Sequence, residues 1–379
     1  MSAPIIAGYN FTLSVEGQRE FAGTVRSVRS RRIAFGVATL VAALLVGGGL
    51  HFDSPAMMWS GVAVVVVEGM VYFALKKVRE RCKPAPPHLY RCITHNPGVS
   101  GWCLNKPWAQ GCRSGKEVVK PRQEQFKRTI LSHYVEADLA AIQESGTAFP
   151  DTFLREAIPS HEFCQNPVGI GEAESTIEAD TLVGWNKEKF TLLGKGTITY
   201  RPLVGQTKDR NVSLSSQFVL LRDKETGKNV IFISAHIDGF HLVDAERGAT
   251  GSGKPTTETG DGQLSEIIHY LKQAADKYDV DQVIIGMDAN CDPSLGPSRF
   301  DILRRAGYVV SSTPPNTKGT FWDGGLRRPI TMDYIACWAR GDTPTVITHN
   351  SPDELTYENP EGIGDHTAIC VAIYSGALF

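Results

Sequence analysis

Asp288 and Asn290 stand two residues apart at the end of an apolar run, Val283-Ile284-Ile285-Gly286-Met287. Residues at i and i+2 leave a strand on the same face, so this carboxylate and this amide can address one site. A carboxylate can orient or deprotonate a water, and a neighbouring amide can donate to a developing oxyanion. The same pair also suits the turn that ends a strand, since Asp and Asn bond readily to nearby backbone. Its company gives it weight. Cys92-Ile93-Thr94-His95-Asn96 ends in an amide, and Ala137-Asp138-Leu139-Ala140-Ala141-Ile142-Gln143-Glu144 ends in a carboxylate. Val230-Ile231-Phe232-Ile233-Ser234-Ala235-His236 ends in an imidazole. Asp333 lies inside the otherwise apolar run Ile330–Ile335, and Gly364-Asp365-His366 precedes the last apolar run. All are residue types that bind metals or move protons.

The elements that must position them are short apolar runs separated by turns. Strands are predicted over 89–94, 138–142, 181–185, 197–201, 216–222, 229–235, 281–287, 331–337 and 367–374, and helices over 121–135, 263–277 and 298–306. Many strands with interspersed helices predict a layered α/β or α+β domain over 89–379.

The order of the polar groups resembles that of the endonuclease/exonuclease/phosphatase superfamily, the fold of type I deoxyribonucleases, abasic-site endonucleases, neutral sphingomyelinases and inositol polyphosphate 5-phosphatases. The family sequence of strand-Asn, Leu-Gln-Glu, Thr-His, Asp-x-Asn, Asp-Tyr-Ile and Ser-Asp-His corresponds here to six stretches. They are Asn96, Gln143-Glu144, Ala235-His236, Asp288-Ala289-Asn290, Asp333-Tyr334-Ile335 and Gly364-Asp365-His366. Val183-Gly184-Trp185-Asn186-Lys187 followed by Phe190 resembles the strand-turn-strand before the His motif. The resemblance implies a DNase I-like four-layer sandwich, two packed mixed β-sheets flanked by helices. It implies Glu144, Asn96 and Asp365 at a Mg²⁺ or Mn²⁺ ion, for which hard oxygen donors are suited. It gives Asp288 the attacking water, Asn290 and His236 the phosphoryl oxygens, and His366 the phosphate or leaving group, with Asp333 as its carboxylate partner. Three positions depart from the family pattern: Met287 where Gly usually precedes the Asp, Ala235 for Thr, and Gly364 for Ser. None removes a reacting group.

Gly248-Ala249-Thr250-Gly251-Ser252-Gly253-Lys254 has the glycine spacing of a P-loop, but Pro255 stands where Ser or Thr must hold Mg²⁺. Residues 256–260 read as continued loop rather than the helix such a motif requires.

The N-terminal quarter is of another kind. Residues 1–32 are polar and mixed, ending in Arg26, Arg29, Arg31 and Arg32. Ile33–Leu50 and about 56–75 are two apolar runs of membrane-spanning length, joined by His51-Phe52-Asp53-Ser54-Pro55. Cations flank the outer ends and none lies between, which predicts a transmembrane hairpin with both termini on the cytoplasmic side. The closely spaced pair resembles the bilobed hairpin of chlamydial inclusion-membrane proteins; a bacterial inner membrane and a host-derived vacuole membrane both suit it. Glu68 falls in the second run and receives no role. Residues 76–88 are a basic, Pro-rich linker.

Residues 88–379 carry 29 Lys and Arg against 36 Asp and Glu, which leans away from a surface built for duplex DNA. The eight cysteines include no Cys-x-x-Cys pair, so they suggest buried free thiols rather than a zinc site or a disulfide framework. The expected function is a membrane-anchored, metal-dependent phosphoester hydrolase acting on a phospholipid, phosphoinositide or other small phosphoester, with the bilayer as its partner. A nuclease of the same superfamily and a catalytically inactive, membrane-displayed binding module are the alternatives. No protein partner is inferable.

Overall fold

In the computed structural model the described residues are 8–19, 21, 88–96, 134–143, 151–165, 181–199, 215–237, 256–291, 298–311, 321–323, 328–341, 345–349 and 368–375. The apolar runs 33–50 and 56–75 and the 76–87 stretch lie outside them. Among the described residues no helix is long and apolar enough to cross a membrane.

Two mixed sheets form the core. The seven-stranded sheet has the order β1-β6-β7-β8-β9-β13-β10, and the six-stranded sheet the order β14-β15-β2-β3-β5-β4. In the first, β1 is Gly8–Leu13, β6 Phe190–Thr199, β7 Ser215–Asp223, β8 Asn229–His236, β9 Gln282–Asp288, β10 Val309–Val310 and β13 Asp333–Ala339. In the second, β2 is His88–His95, β3 Leu139–Gln143, β4 His161–Gln165, β5 Thr181–Asn186, β14 Thr345–His349 and β15 Ile369–Ser375. A separate antiparallel pair joins β11 (Phe321–Asp323) to β12 (Arg328–Ile330). Among the described residues only β2 with β3 and β8 with β9 run parallel, and the other pairings are antiparallel.

Alternation sorts the side chains. Tyr90, Cys92, Leu139, Ala141, Val230, Phe232, Ile284, Ile335 and Cys337 meet in the apolar layer between the sheets. Their odd-even complements Ile93, Ala140 and Ile142 pack outward on Leu154 and Ile158. Leu154 belongs to helix α1, Asp151–Ala157. Helix α2, Thr256–Lys277, lies against β9 and buries Leu264, Ile267, Leu271 and Ala274, the three- and four-residue spacing of one helical face. Helix α3, Ser298–Arg305, packs against α2 and β10.

Most predicted elements appear, with several differences. Residues 8–13, read as part of a polar N-terminal segment, pair with the C-terminal part of β6, from Gly8 opposite Thr199 to Leu13 opposite Gly194. Strand β6 begins at Phe190, well before the predicted 197, and its register slips between Leu192 and Gly194. That bulge breaks the period-2 pattern on which the prediction relied. Helix α2 begins at Thr256, not 263. Residues 256–262 include three Thr and two Gly, poor formers of a free helix; here Asp261 is held by Arg299 of α3, with N–O 3.2 Å. Asp333 opens β13 instead of lying within a strand. The β4 and β14 strands, α1 and the short β10–β12 strands were not predicted.

All five described cysteines are free; Cys92, Cys164, Cys291 and Cys337 are buried and Cys370 is partly buried. Burial pushes the Cys337 thiol up to about 12, which keeps it protonated at neutral pH and chemically inert.

Candidate functional site

Strand parity brings the polar ends together. Counting by twos from inward-facing Cys92, Phe232, Ile284 and Ile335 reaches Asn96, His236, Asp288 and Asp333. All four therefore fall on the inner side of the sandwich, at the C-terminal ends of β2, β8 and β9 and the N-terminal end of antiparallel β13. In register, Asp288 is opposite His236 on one side and Asp333 on the other.

Asp288 is the hub. It is fully buried. Its Oδ2 accepts from Asn96 Nδ2 at 2.8 Å and lies 3.7 Å from His236 Nε2. Its Oδ1 accepts the Asn290 backbone N–H at 2.8 Å. The carboxylate is thus held from both edges while the imidazole, 14% exposed, reaches toward solvent. Asp333 is fully buried beside it.

Asn290 behaves differently from the expectation that it shares a strand face with Asp288. The strand ends at Asp288, and Asn290 turns to φ 45°, a left-handed backbone that Asn tolerates better than most residues. Its side-chain amide donates to the Ile237 carbonyl at 3.0 Å, and Ile237 N–H donates to the Asp288 carbonyl at 2.9 Å. Asn290 therefore braces the end of β9 against the end of β8. Here the turn chemistry and the site chemistry are one arrangement.

Several supporting residues were given no role from the sequence alone. Gln143, fully buried at the end of β3, donates to Thr94 Oγ1 (3.2 Å), Ser234 Oγ (3.1 Å) and the Gly286 carbonyl (3.4 Å). Ser234 in turn donates to the Ile142 carbonyl at 2.8 Å. These bonds tie the two sheets together directly beneath the site. The sheets come close enough there that a Cβ at Gly286 would stand 2.5 Å from Ala141 Cβ. This explains the displaced glycine of the sequence pattern: residue 286 faces the other sheet, whereas buried Met287 points to the opposite face. A signal was present in the sequence, since Thr94, Gln143 and Ser234 are polar residues at inward positions of apolar strands. Arg299 gave none. Fully buried, it donates to the Ala289 carbonyl and to Asp261, fixing the turn between Asp288 and Asn290 from behind.

Glu144, Asp365 and His366 lie outside the described residues. Among the described residues no group of three or more His, Cys, Asp or Glu could hold a metal ion. The described part of the site thus suits the water-activating and oxyanion-binding side of a reaction, and a cation would need donors from beyond it. The P-loop-like 248–254 also lies outside. Although α2 starts immediately after Pro255, β8 ends at His236, far from the strand-to-helix turn a phosphate loop requires.

Comparison with known proteins identifies the fold. An endonuclease/exonuclease/phosphatase family protein from Bacteroides thetaiotaomicron superposes with a TM-score of 0.51 at 16% identity, over 77% of this chain and 99% of that one. ANGEL2, a 2',3'-cyclic phosphatase, gives 0.52 at 14% identity, over 76% and 95%. The human Nocturnin catalytic domain with bound sulfate gives 0.50 at 14% identity, over 77% and 100%. At these identities what is shared is the fold, which is the DNase I-like one. No protein-family model matches the sequence, and no curated protein matches it.

Proposed function

We propose that this chain is a divalent-metal-dependent phosphoester hydrolase in which water attacks phosphorus in line with the leaving oxygen. The observation that carries the reading is the convergence of Asn96, His236, Asp288 and Asp333, from four strands scattered over 238 positions of sequence, around one doubly braced carboxylate. A fold shared with structures of phosphatases supports it. Asp288 takes the water's proton as the oxygen–phosphorus bond forms and the bond to the leaving oxygen breaks. His236, protonated, donates to a phosphoryl oxygen where negative charge accumulates. Asn290 positions Asp288 through its backbone N–H. Glu144 and Asp365, with Asn96 through its amide oxygen, would hold Mg²⁺ or Mn²⁺, which when bound neutralises charge on the phosphate oxygens. His366 would meet the leaving group, oriented by Asp333. Residues 33–75 would hold the chain in a membrane as a hairpin.

The test uses the full chain in detergent with Mg²⁺ or Mn²⁺ against EDTA. Its substrates are bis(p-nitrophenyl) phosphate, plasmid DNA, sphingomyelin and phosphoinositides, each also assayed with Asp288→Ala. Metal-dependent turnover lost in the variant by about 10²–10⁴-fold is expected. Absence of turnover on every substrate, together with absence of metal binding, makes the chain a binding module.

A further inference from the structure

Asn96 and Asp288 meet across the two sheets. Strand β2 lies in the six-stranded sheet and β9 in the seven-stranded one, and among the described residues no backbone pairing joins the two. The 2.8 Å bond between their side chains therefore depends on how far one sheet is slid or turned over the other. The layer beneath, with Cys92, Ala141, Phe232 and Ile284, is apolar, and apolar burial is non-directional. Hydrogen bonds, which weaken steeply with distance and angle, can fix such a placement.

A polar row directly below the site supplies them. In the seven-stranded sheet Gln217, Ser234 and Gly286 lie opposite one another in register, one inward step below His236 and Asp288. In the six-stranded sheet Gln143 lies opposite Thr181. The two rows are bonded face to face. Thr181 Oγ1 accepts the Gln217 N–H at 2.9 Å and donates to the Ser215 carbonyl at 3.0 Å. Ser234 gives its own proton to the Ile142 carbonyl, so toward Gln143 it can only accept, as can the Gly286 carbonyl. The Gln143 amide nitrogen must therefore face the seven-stranded sheet, where these two acceptors lie at 3.1 and 3.4 Å. Thr94, in the six-stranded sheet, donates to the amide oxygen at 3.4 Å. Thr94, Ser234 and Gly286 stand two residues before Asn96, His236 and Asp288 in turn. One side chain thus holds the strand beneath three of the four converging residues.

We propose that Gln143, assisted by Thr181, is a positioning residue of the hydrolase. It fixes the slide and rotation of one sheet over the other and so sets Asn96 at bonding distance from Asp288, without touching substrate or reacting atoms. This rests on the hydrolase reading above and deepens it. The far end of the sandwich has its own sheet-to-sheet bond, from Tyr90 of β2 to Asp223 of β7 at 2.8 Å. Tyr90 stands six residues before Asn96, about 20 Å along the strand at ~3.3 Å per residue. A pin so distant holds the site only through the stiffness of the intervening strands.

The experiment follows bis(p-nitrophenyl) phosphate turnover by the full chain in detergent with Mg²⁺. Wild type is compared with Gln143→Met, which keeps the side chain's length, with Ser234→Ala and with Tyr90→Phe, each checked for folding by near-UV circular dichroism. In Gln143→Met, kcat is expected to fall about 10–10²-fold with KM held within about twofold, the signature of misplaced groups and not of lost binding. Ser234→Ala should show a smaller fall of the same kind, of about threefold or more. Tyr90→Phe should lower the melting temperature and keep kcat within about twofold of wild type. Unchanged kcat in folded Gln143→Met overturns the proposal; if that variant does not fold, unchanged kcat in Ser234→Ala does so. An equal fall in Tyr90→Phe also overturns it, because activity would then follow stability whichever sheet-to-sheet bond is lost. Wild-type turnover that is absent, or unaffected by Asp288→Ala, overturns the hydrolase reading and this one with it.

Discussion

Asp288 and Asp333 face each other directly across the β9–β13 pair, both fully buried. The Ala289 N–H donates to the Met332 carbonyl at 2.8 Å, which makes 289 and 332 the hydrogen-bonded pair. Residues 288 and 333 then form the other kind, whose Cα atoms lie only about 4.5 Å apart and whose side chains come closest. Like charges so placed destabilise a sheet. The arrangement is understandable if positive charge completes it: a protonated His236, the proposed cation and His366 would supply it.

Replacing Asp333 by Asn keeps the shape and removes one of the two charges. Thermal unfolding is expected to shift upward by up to a few degrees, a gain of about 0.2–1 kcal/mol, while turnover falls at least tenfold. Loss of stability and activity together would make Asp333 a structural brace.

Arg299 is the buried cation behind the Asp288 turn. Arg299→Met retains the apolar stem but removes the donors to Ala289 and Asp261. Urea unfolding should show a loss of about 2–3 kcal/mol, short of a fully buried pair because Asp261 is partly exposed. The kcat should fall more than KM rises, since the turn aims the base and does not bind substrate. A kcat equal to wild type in the folded variant would show that the turn keeps its shape unaided.

The two sheets touch most closely at Gly286. Gly286→Ala sets a methyl against Ala141 and Thr94, 2.5 and 3.3 Å from the nearest atoms. Neither neighbour is a long side chain that can swing aside, so the cost is expected at about 1–3 kcal/mol. Adding Ala141→Gly should restore part of it, and a double-mutant cycle measures the coupling. Purely additive effects would contradict the contact.

His161 gives the fold a pH dependence unrelated to the site. Its Nε2 donates to the Ala137 carbonyl at 2.6 Å, and Nδ1 meets the Ser160 hydroxyl at 3.0 Å. Burial lowers its proton affinity below the ordinary imidazole value, outweighing the opposite pulls of the Ala137 carbonyl and Asp138. The unfolded chain therefore binds this proton more readily than the folded one. The resulting stability is complete above the unfolded value of about 6.5 and is lost as pH falls below it toward the folded value. Melting followed from pH 7.5 to 5 should show a decline that is shallower in His161→Gln. An equal decline in both would assign it to other groups.

How much of this was legible in the sequence follows from what is local and what is not. Alternation and run length are local, so the central strands β2, β3, β5, β7, β8, β9, β13 and β15 could be read from the chain. The parity that turns Asn96, His236 and Asp288 inward was present in the same letters. Pairing and register are non-local. Nothing near Gly8–Leu13 says that it must lie beside Gly194, because that choice depends on the room a glycine leaves for Phe11. Helix α2 could not be traced back to Thr256 because Asp261 is secured by a residue 38 positions later. The sequence by itself determined which polar residues close the central strands and, for Asn96, His236 and Asp288, which face each would take. The tertiary structure decided that Asn290 braces a turn and that Arg299 supports it. These outcomes depend on which strands lie side by side, and side-chain periodicity carries no record of that.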